Sequence, residues 1–210
     1  MAHQAKSDDL IETLLRYARD QTWKVVKNSS GIAVACQHVP NRSERVYRGV
    51  GIVEAPPSQV LQYVTPSNDS PRKQWDTTSK EWNEIERIDE HTSIVQSVTK
   101  AAMAGFIKGR DFVDLVCRKQ LENGAYICAA VSVDHPGCPP TSSLVRGTNY
   151  HSGLVCFPVD GDPNKTELVF VVHSALGGML PMSIVESALP SSIVKFITEL
   201  RGALKKAAAK

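Results

Sequence analysis

Residues 181–210, PMSIVESALPSSIVKFITELRGALKKAAAK, change the rhythm of the chain. Val185, Leu189, Ile193, Phe196, Ile197, Leu200 and Leu204 recur at three- and four-residue steps, which draws one apolar stripe along a long helix, near 181–207. Pro190 lies inside the run, where it deletes a backbone hydrogen bond and crowds the preceding turn, so a kink is predicted there. A single amphipathic helix of this length needs a large apolar surface to lie on.

The sequence upstream supplies that surface as strands. WKVVKNSSGIAVACQHV reads as two strands about an Asn-Ser-Ser-Gly turn, and RVYRGVGIVEA as a third. Further strand-like runs cover 82–88, 92–100, 110–119, 125–134, 144–157 and 167–174. Their separators, IDEH, ENG, HPGCPPTS and DGDPNK, are turn chemistry too short for crossover helices, so the sheet over 23–174 is mainly antiparallel. Ser7, Asp8 and Asp9 start a first helix near 8–21, since a hydroxyl caps free N–H groups and early acids complement the positive helix end. Pro56-Pro57 opens a short helix near 57–64, which TPSNDSP stops. No linker or repeat divides the chain, so 1–210 reads as one α+β domain.

Composition narrows the function classes. Lys and Arg total 24 against 22 for Asp and Glu, so no strong positive field marks a nucleic-acid binder. Apolar residues are 42% and charged residues 22%, an ordinary globular balance. Five cysteines, an odd number without a CxxC pair, suit reduced buried thiols better than disulfides or zinc. No cleavable leader is legible and nowhere do 18 apolar residues run together, which makes the cytoplasm the expected location. His135, Cys138 and His173 sit in no HExxH motif, nucleophile elbow or paired-carboxylate arrangement, so no catalytic residue, metal site or cofactor is expected.

A curled antiparallel sheet with one helix laid across its concave face leaves interior space. Aromatics are only 6% of the chain, and many inward candidates are small or polar, such as Ser97, Thr99, Cys128, Ala130 and Ser132. A ligand-sized cavity is therefore predicted. Within GRDFVDL, residues 109–115, alternation puts Arg110, Phe112, Asp114 and Val116 on one face and Asp111, Val113, Leu115 and Cys117 on the other. With Phe112 inward, Asp114 is a carboxylate in an apolar wall, and it must find donors or raise its pKa. Arg110 and Asp111 cannot pair with each other across those faces, and each is expected to fix a neighbouring loop or helix end. Trp75 is expected in the core, with Asp76 capping its turn or reaching the cavity end.

Taken in order, WKVVK, VYRGVGIV, KQWD, GRDFVDL, VRGTNY with GLVCFP, and LGGMLPMSIVESALPSSIVKF resemble the StAR-related lipid-transfer (START) domains over nearly the whole chain, and within them the small soluble group. The resemblance implies a helix-grip fold, a curved antiparallel sheet wrapped around the C-terminal helix to enclose a tunnel for one lipid. It implies that this helix and the loop at about 100–109 move when lipid enters. That loop, KAAMAGFIKG, has small residues and the apolar pair Phe106 and Ile107, suited to transient membrane contact together with the C-terminal helix. Carried over residue by residue, the resemblance places Ser97, Phe112, Asp114, Val116, Cys128, Asn149, Ser152, Leu154 and Phe170 on the strand side of the tunnel, and Met179, Leu189, Phe196 and Leu204 on the loop and lid helix. The acid and arginine that some cholesterol-carrying members bury in the tunnel correspond to Ser97 and Val116, so that pair is absent. Asp114, Ser97, Asn149 and Ser152 become the substitute polar candidates.

The function implied is intracellular non-vesicular transfer of a sterol or oxysterol by a monomeric, non-enzymatic carrier, peripheral and transient at membranes, with no nucleic-acid partner. The alternatives are a carrier of bile acids, whose anionic tail Arg110 or a loop lysine could accept, a carrier of phospholipids, a helix-grip enzyme acting on a steroid-like substrate, or a lipid-sensing adaptor.

Overall fold

The computed structural model describes residues 2–67, 69–101 and 107–209, with side chains from residue 5 onward. In chain order the elements are α1 (Ala2–Arg19), β1 (Lys24–Ser29), β2 (Ile32–His38), β3 (Arg45–Val53), α2 (Pro57–Val64), a 3-10 turn (Pro71–Gln74), β4 (Ser79–Arg87) and β5 (Thr92–Thr99). There follow β6 (Arg110–Gln120), β7 (Tyr126–Ser132), β8 (Val145–Arg146), β9 (Thr148–Asn149), β10 (Ser152–Val159), β11 (Asp162–Val172), β12 (Ser174–Ala175) and α3 (Met182–Ala208). The main sheet has the order β1-β2-β3-β11-β10-β7-β6-β5-β4, all antiparallel, with β8 added in parallel beside β6. Hairpins join β1 to β2, β2 to β3, β4 to β5, β5 to β6, β6 to β7 and β10 to β11; α2 and its turn carry the chain from β3 to the opposite edge at β4, and between β7 and β10 the chain passes through β8, beside β6, and β9, which pairs with β12. The sheet is therefore wound from both ends, and β11 closes against β3 in the middle.

Two boundaries differ from the sequence reading. Helix α1 begins at Ala2 rather than near residue 8: Ala2, Gln4, Ala5 and Lys6 are good helix formers, and Ser7 is a buried residue inside the helix, not its cap. The run 144–157 breaks into β8, β9 and β10. Between β9 and β10 the chain leaves the sheet at Tyr150, whose N–H goes to His173 O at 2.8 Å. Helix α3, Met182–Ala208, agrees with the expected 181–207 and contains Pro190 as a buried residue.

Two layers flank the sheet. On the outer face Leu10, Ile11 and Leu14 of α1 pack with Trp23, Val46, Ile127, Val155 and Val169. On the inner face Ile193, Phe196, Ile197, Leu200 and Leu204 of α3 pack with Ile32, Val34, Tyr47, Leu154 and Leu168, joined by Val60 and Val64 of α2. Helix α3 lies unusually close to β3, because a side chain at Gly49 would overlap Ile193. Its polar flank is tied down as well: Arg45 Nε donates to Glu186 Oε1 at 2.7 Å, and Arg201 Nε donates to Ile52 O at 2.7 Å. All five cysteines are free and buried.

Candidate ligand-binding cavity

The helix covers one part of the concave face tightly and leaves the part in front of β4 to β7 unfilled. There the structure holds a cavity of about 360 Å³, within the size range of ligand pockets. Ser97 of β5, Phe112, Asp114 and Val116 of β6, Cys128 of β7, Asn149 of β9, Ser152 and Leu154 of β10, and Phe170 of β11 all line it, and Leu189 and Phe196 of α3 close it. The wall is predominantly apolar.

Two of the residues expected on the wall lie elsewhere. Met179 follows Gly177 and Gly178, both in the left-handed region, and that turn throws its side chain fully into solvent. Leu204 shares the stripe of Leu189 and Phe196, but a helix of 27 residues is about 40 Å long and outruns the cavity. At Leu204 it has reached the packed core. Residues 102–106, including Phe106, lie outside the described residues. Ile107 and Lys108 border a second, apolar groove of about 280 Å³ with Leu180, Ile184 and Val185; the groove adjoins the cavity and shares Thr99, Phe112, Leu176, Leu189 and Ser192 with it. The Phe112 ring stands between the two spaces and is seated on Gly147, where a side chain would overlap it.

Alternation along β6 works as the sequence predicts. Val113 and Leu115 turn to the outer face, where they pack with Ile94 and Cys138. Asp111, on that face, accepts two hydrogen bonds from Arg146, at 3.1 and 2.8 Å, and one from Gln96 at 2.9 Å. Burial opposes its charge, but Arg146 and Gln96 outweigh burial and hold its pKa below the usual range. It fastens β8 and, through Arg146, the backbone of Cys138. Arg110 donates to Leu176 O and Lys108 O, which ties the segment before α3 to the start of β6. Its guanidinium is thus committed to backbone and borders the groove rather than the cavity.

Asp114 is the charged residue of β6 that faces the cavity, 4% exposed. Ser132 Oγ donates to its Oδ1 at 2.7 Å and Asn149 Nδ2 to its Oδ2 at 2.8 Å. The network extends outward: Asn149 N donates to Ser132 Oγ at 2.8 Å, and Ser174 Oγ donates to Asn149 Oδ1 at 2.6 Å. Burial pushes Asp114 up to about 6, with Ser132, Asn149 and Arg146 opposing. It is ionised at neutral pH and keeps lone pairs unused, since two carboxylate oxygens offer about four acceptor sites. Ser152 is less available, because its hydroxyl donates to His173 O at 3.1 Å and accepts from His173 N at 2.9 Å. Ser97 Oγ has no partner among the described residues and is the second open polar group near Phe112.

The structure adds wall residues for which the sequence carries no periodic signal. Thr78 enters from the approach to β4, Ser79 and Trp82 from β4, and Arg72 from the 3-10 turn. Asp76 organises this corner. It accepts from Arg72 Nε at 2.9 Å, from Thr78 N and Oγ1 at 3.0 and 2.6 Å, and from Ser79 N and Oγ at 3.1 and 2.9 Å. Burial alone would raise its pKa, but Arg72, Thr78 and Ser79 outweigh burial and hold it at about 2. Asp76 therefore caps the turn, and Trp75 beside it packs edge-on against Phe196 in the core at 5.1 Å. Among the histidines singled out in the sequence, His135 Nε2 lies 2.9 Å from Glu86, and His173 is buried, which lowers it to about 4. Among the described residues no group of three or more His, Cys, Asp or Glu is placed to hold a metal.

Comparison with known proteins gives this architecture its place. The model of the START domain matches residues 3–210. StAR-related lipid transfer protein 5 of Bos taurus is 36% identical over 201 residues, spanning 95% of this chain and 94% of that protein. StAR-related lipid transfer protein 6 of Homo sapiens is 34% identical over 206 residues, spanning 98% of this chain and 93% of that protein. The solved structure of human StAR-related lipid transfer protein 5 superposes with a TM-score of 0.92 at 33% identity, covering 99% of this chain and 98% of that one. With a helix gripped by a curved antiparallel sheet around an apolar cavity, and kinship over almost its full length, the chain belongs to the START domain family.

Proposed function

We propose that this protein is a cytosolic, non-enzymatic carrier that takes one sterol or oxysterol from a membrane and shields it in the cavity between sheet and α3. The reading is supported by kinship to StAR-related lipid transfer proteins and by a predominantly apolar wall interrupted by one buried carboxylate. Apolar burial supplies roughly 25 cal/mol per Å² of lipid surface removed from water. Orientation comes from Asp114, the observation that carries the proposal: ionised, held by Ser132 and Asn149, and still able to accept a hydrogen bond from a ligand hydroxyl. An anionic group would be repelled there, and Arg110 is committed to backbone, which leaves a loop lysine as the remaining receptor for the anionic tail of a bile acid.

Membrane contact is assigned to the start of α3. Met179, Met182 and Ile184 are exposed apolar side chains beside the groove that Lys100 and Lys108 border, a combination suited to an anionic bilayer surface. No helix among the described residues is long and apolar enough to cross a membrane. The carrier reading is tested by native mass spectrometry of the protein purified from cells, together with extraction of lipids from mixed liposomes. A bound sterol mass and sterol extraction are expected. Failure to extract sterol, with efficient extraction of another lipid class, overturns the sterol assignment, and a mass change of the bound steroid on incubation overturns the non-enzymatic one.

A further inference from the structure

Phe112 is a buried ring without a place in the core. It is 7% exposed, yet among the described residues it joins none of the apolar clusters and stacks on no other ring. The cavity lies on one side of it and the groove on the other. The ring is seated on Gly147, where a Cβ atom would overlap it. Its cross-strand partner on β5 is Ser97, a small residue that leaves space beside the ring. An aromatic with open space on two sides has few partner atoms to lose there, so turning it to another staggered rotamer costs little dispersion energy.

The cavity and the groove share Thr99, Phe112, Leu176, Leu189 and Ser192, and Phe112 is the largest side chain among them. Asp114 follows two residues on along the same face of β6, about 7 Å away at the rise of a strand. The polar end of a cargo held by Asp114 therefore lies next to the ring. With the ring seated, the cavity of about 360 Å³ stands at the low end of the range for ligand pockets, and the groove of about 280 Å³ is partitioned from it.

We infer that Phe112 is an inner gate: its ring, seated on Gly147, shuts over the polar end of a bound lipid and turns aside to let cargo cross between groove and cavity. The inference rests on the carrier reading and deepens it by naming a side chain that sets the rate of exchange. The gate belongs to a strand, so it is a barrier separate from any movement of α3. A gate and a wall contact differ in their kinetics. Entry and exit cross the same barrier, so removing a gate raises both rate constants, whereas removing a wall contact raises release and leaves association alone.

The test delivers a fluorescent sterol from cyclodextrin, with no membrane present, and follows binding and release by stopped flow. In Phe112→Ala both rate constants are expected to rise about tenfold, and in Phe112→Leu about threefold. Gly147→Ala keeps the ring but takes away its seat, and both constants are expected to rise there as well. An association rate unchanged in Phe112→Leu and Gly147→Ala, each with an intact thermal transition, overturns the gate and leaves Phe112 as wall. If these variants fail to fold, the wild type labelled with fluorinated phenylalanine decides. Two exchanging environments are then expected for Phe112 in the free protein and one with cargo bound, and a single environment in both states overturns the gate. A wild type that binds no sterol but binds another lipid class is a different result: it overturns the sterol reading, and the same rates measured with that lipid decide the gate.

Discussion

Asp114 faces the cavity and Asp76 holds residues of its wall, yet their surroundings drive them in opposite directions, and the pH dependence of stability separates them. Asp114 is raised to about 6 by burial, from 3.8. The folded state then holds its proton more tightly than the unfolded chain, so this group's contribution grows as pH falls from about 6 to 4, by roughly 3 kcal/mol across the window. Asp76 is lowered to about 2, so its contribution is present above pH 4 and is lost as pH falls towards 2. Denaturant titrations of the wild type and Asp114→Asn between pH 7 and 4 are expected to diverge, with the wild type gaining relative to the variant on acidification. Parallel curves would refute the strained carboxylate. Both residues were legible in the sequence to different depths. Period-two alternation on a central strand fixes which way Asp114 faces, because a shift of one residue would turn Val113 and Leu115 to the wrong side. Arg72 sits in an aperiodic Pro-flanked turn, and nothing in PRKQ says that its side chain reaches Trp82 and Phe196.

Helix α3 divides into a part that packs and a part that covers. Its packed part is locked at the contact of Ile193 with Gly49, where there is no room for a side chain on β3. Ile193→Ala is expected to cost about 2–5 kcal/mol of stability and Gly49→Ala about 1–3 kcal/mol, both read by chemical denaturation. The Arg45–Glu186 pair, a third exposed on each side, is expected to contribute under about 1 kcal/mol, so Glu186→Ala should leave the midpoint nearly in place. The apolar stripe was readable from three- and four-residue spacing, because that spacing depends only on helix geometry. Where the stripe stops facing the cavity was not, because the span of the cavity is set by strands far away in sequence; Leu204 falls beyond it for that reason. The break between β9 and β10 was equally hidden, since it depends on a backbone bond from Tyr150 to His173.

At the scale of the molecule, two spaces meet at Phe112, the cavity and the groove beside the start of α3. Replacing Met179, Met182 and Ile184 together by serine is expected to slow sterol transfer between anionic liposomes several-fold while leaving equilibrium sterol affinity unchanged, since none of the three borders the cavity. Unaltered transfer would remove this face from the docking surface. The antiparallel sheet with a helix laid across it was legible from segment order and turn chemistry, and the helix-grip arrangement from the resemblance, whereas the outward turn of Met179 depends on the left-handed backbone of Gly177 and Gly178, which composition does not announce. The five thiols carry one more consequence. Cys128 lies on the cavity wall with its pKa pushed up to about 11 by burial, and Cys156 behind it is raised as well. Since the thiolate is the reacting form, these sulfurs stay chemically silent while the grip is closed. Modification of Cys128 by a thiol reagent is therefore expected to report openings of the grip, and a labelling rate equal to that of the unfolded chain would show that burial does not shield this sulfur.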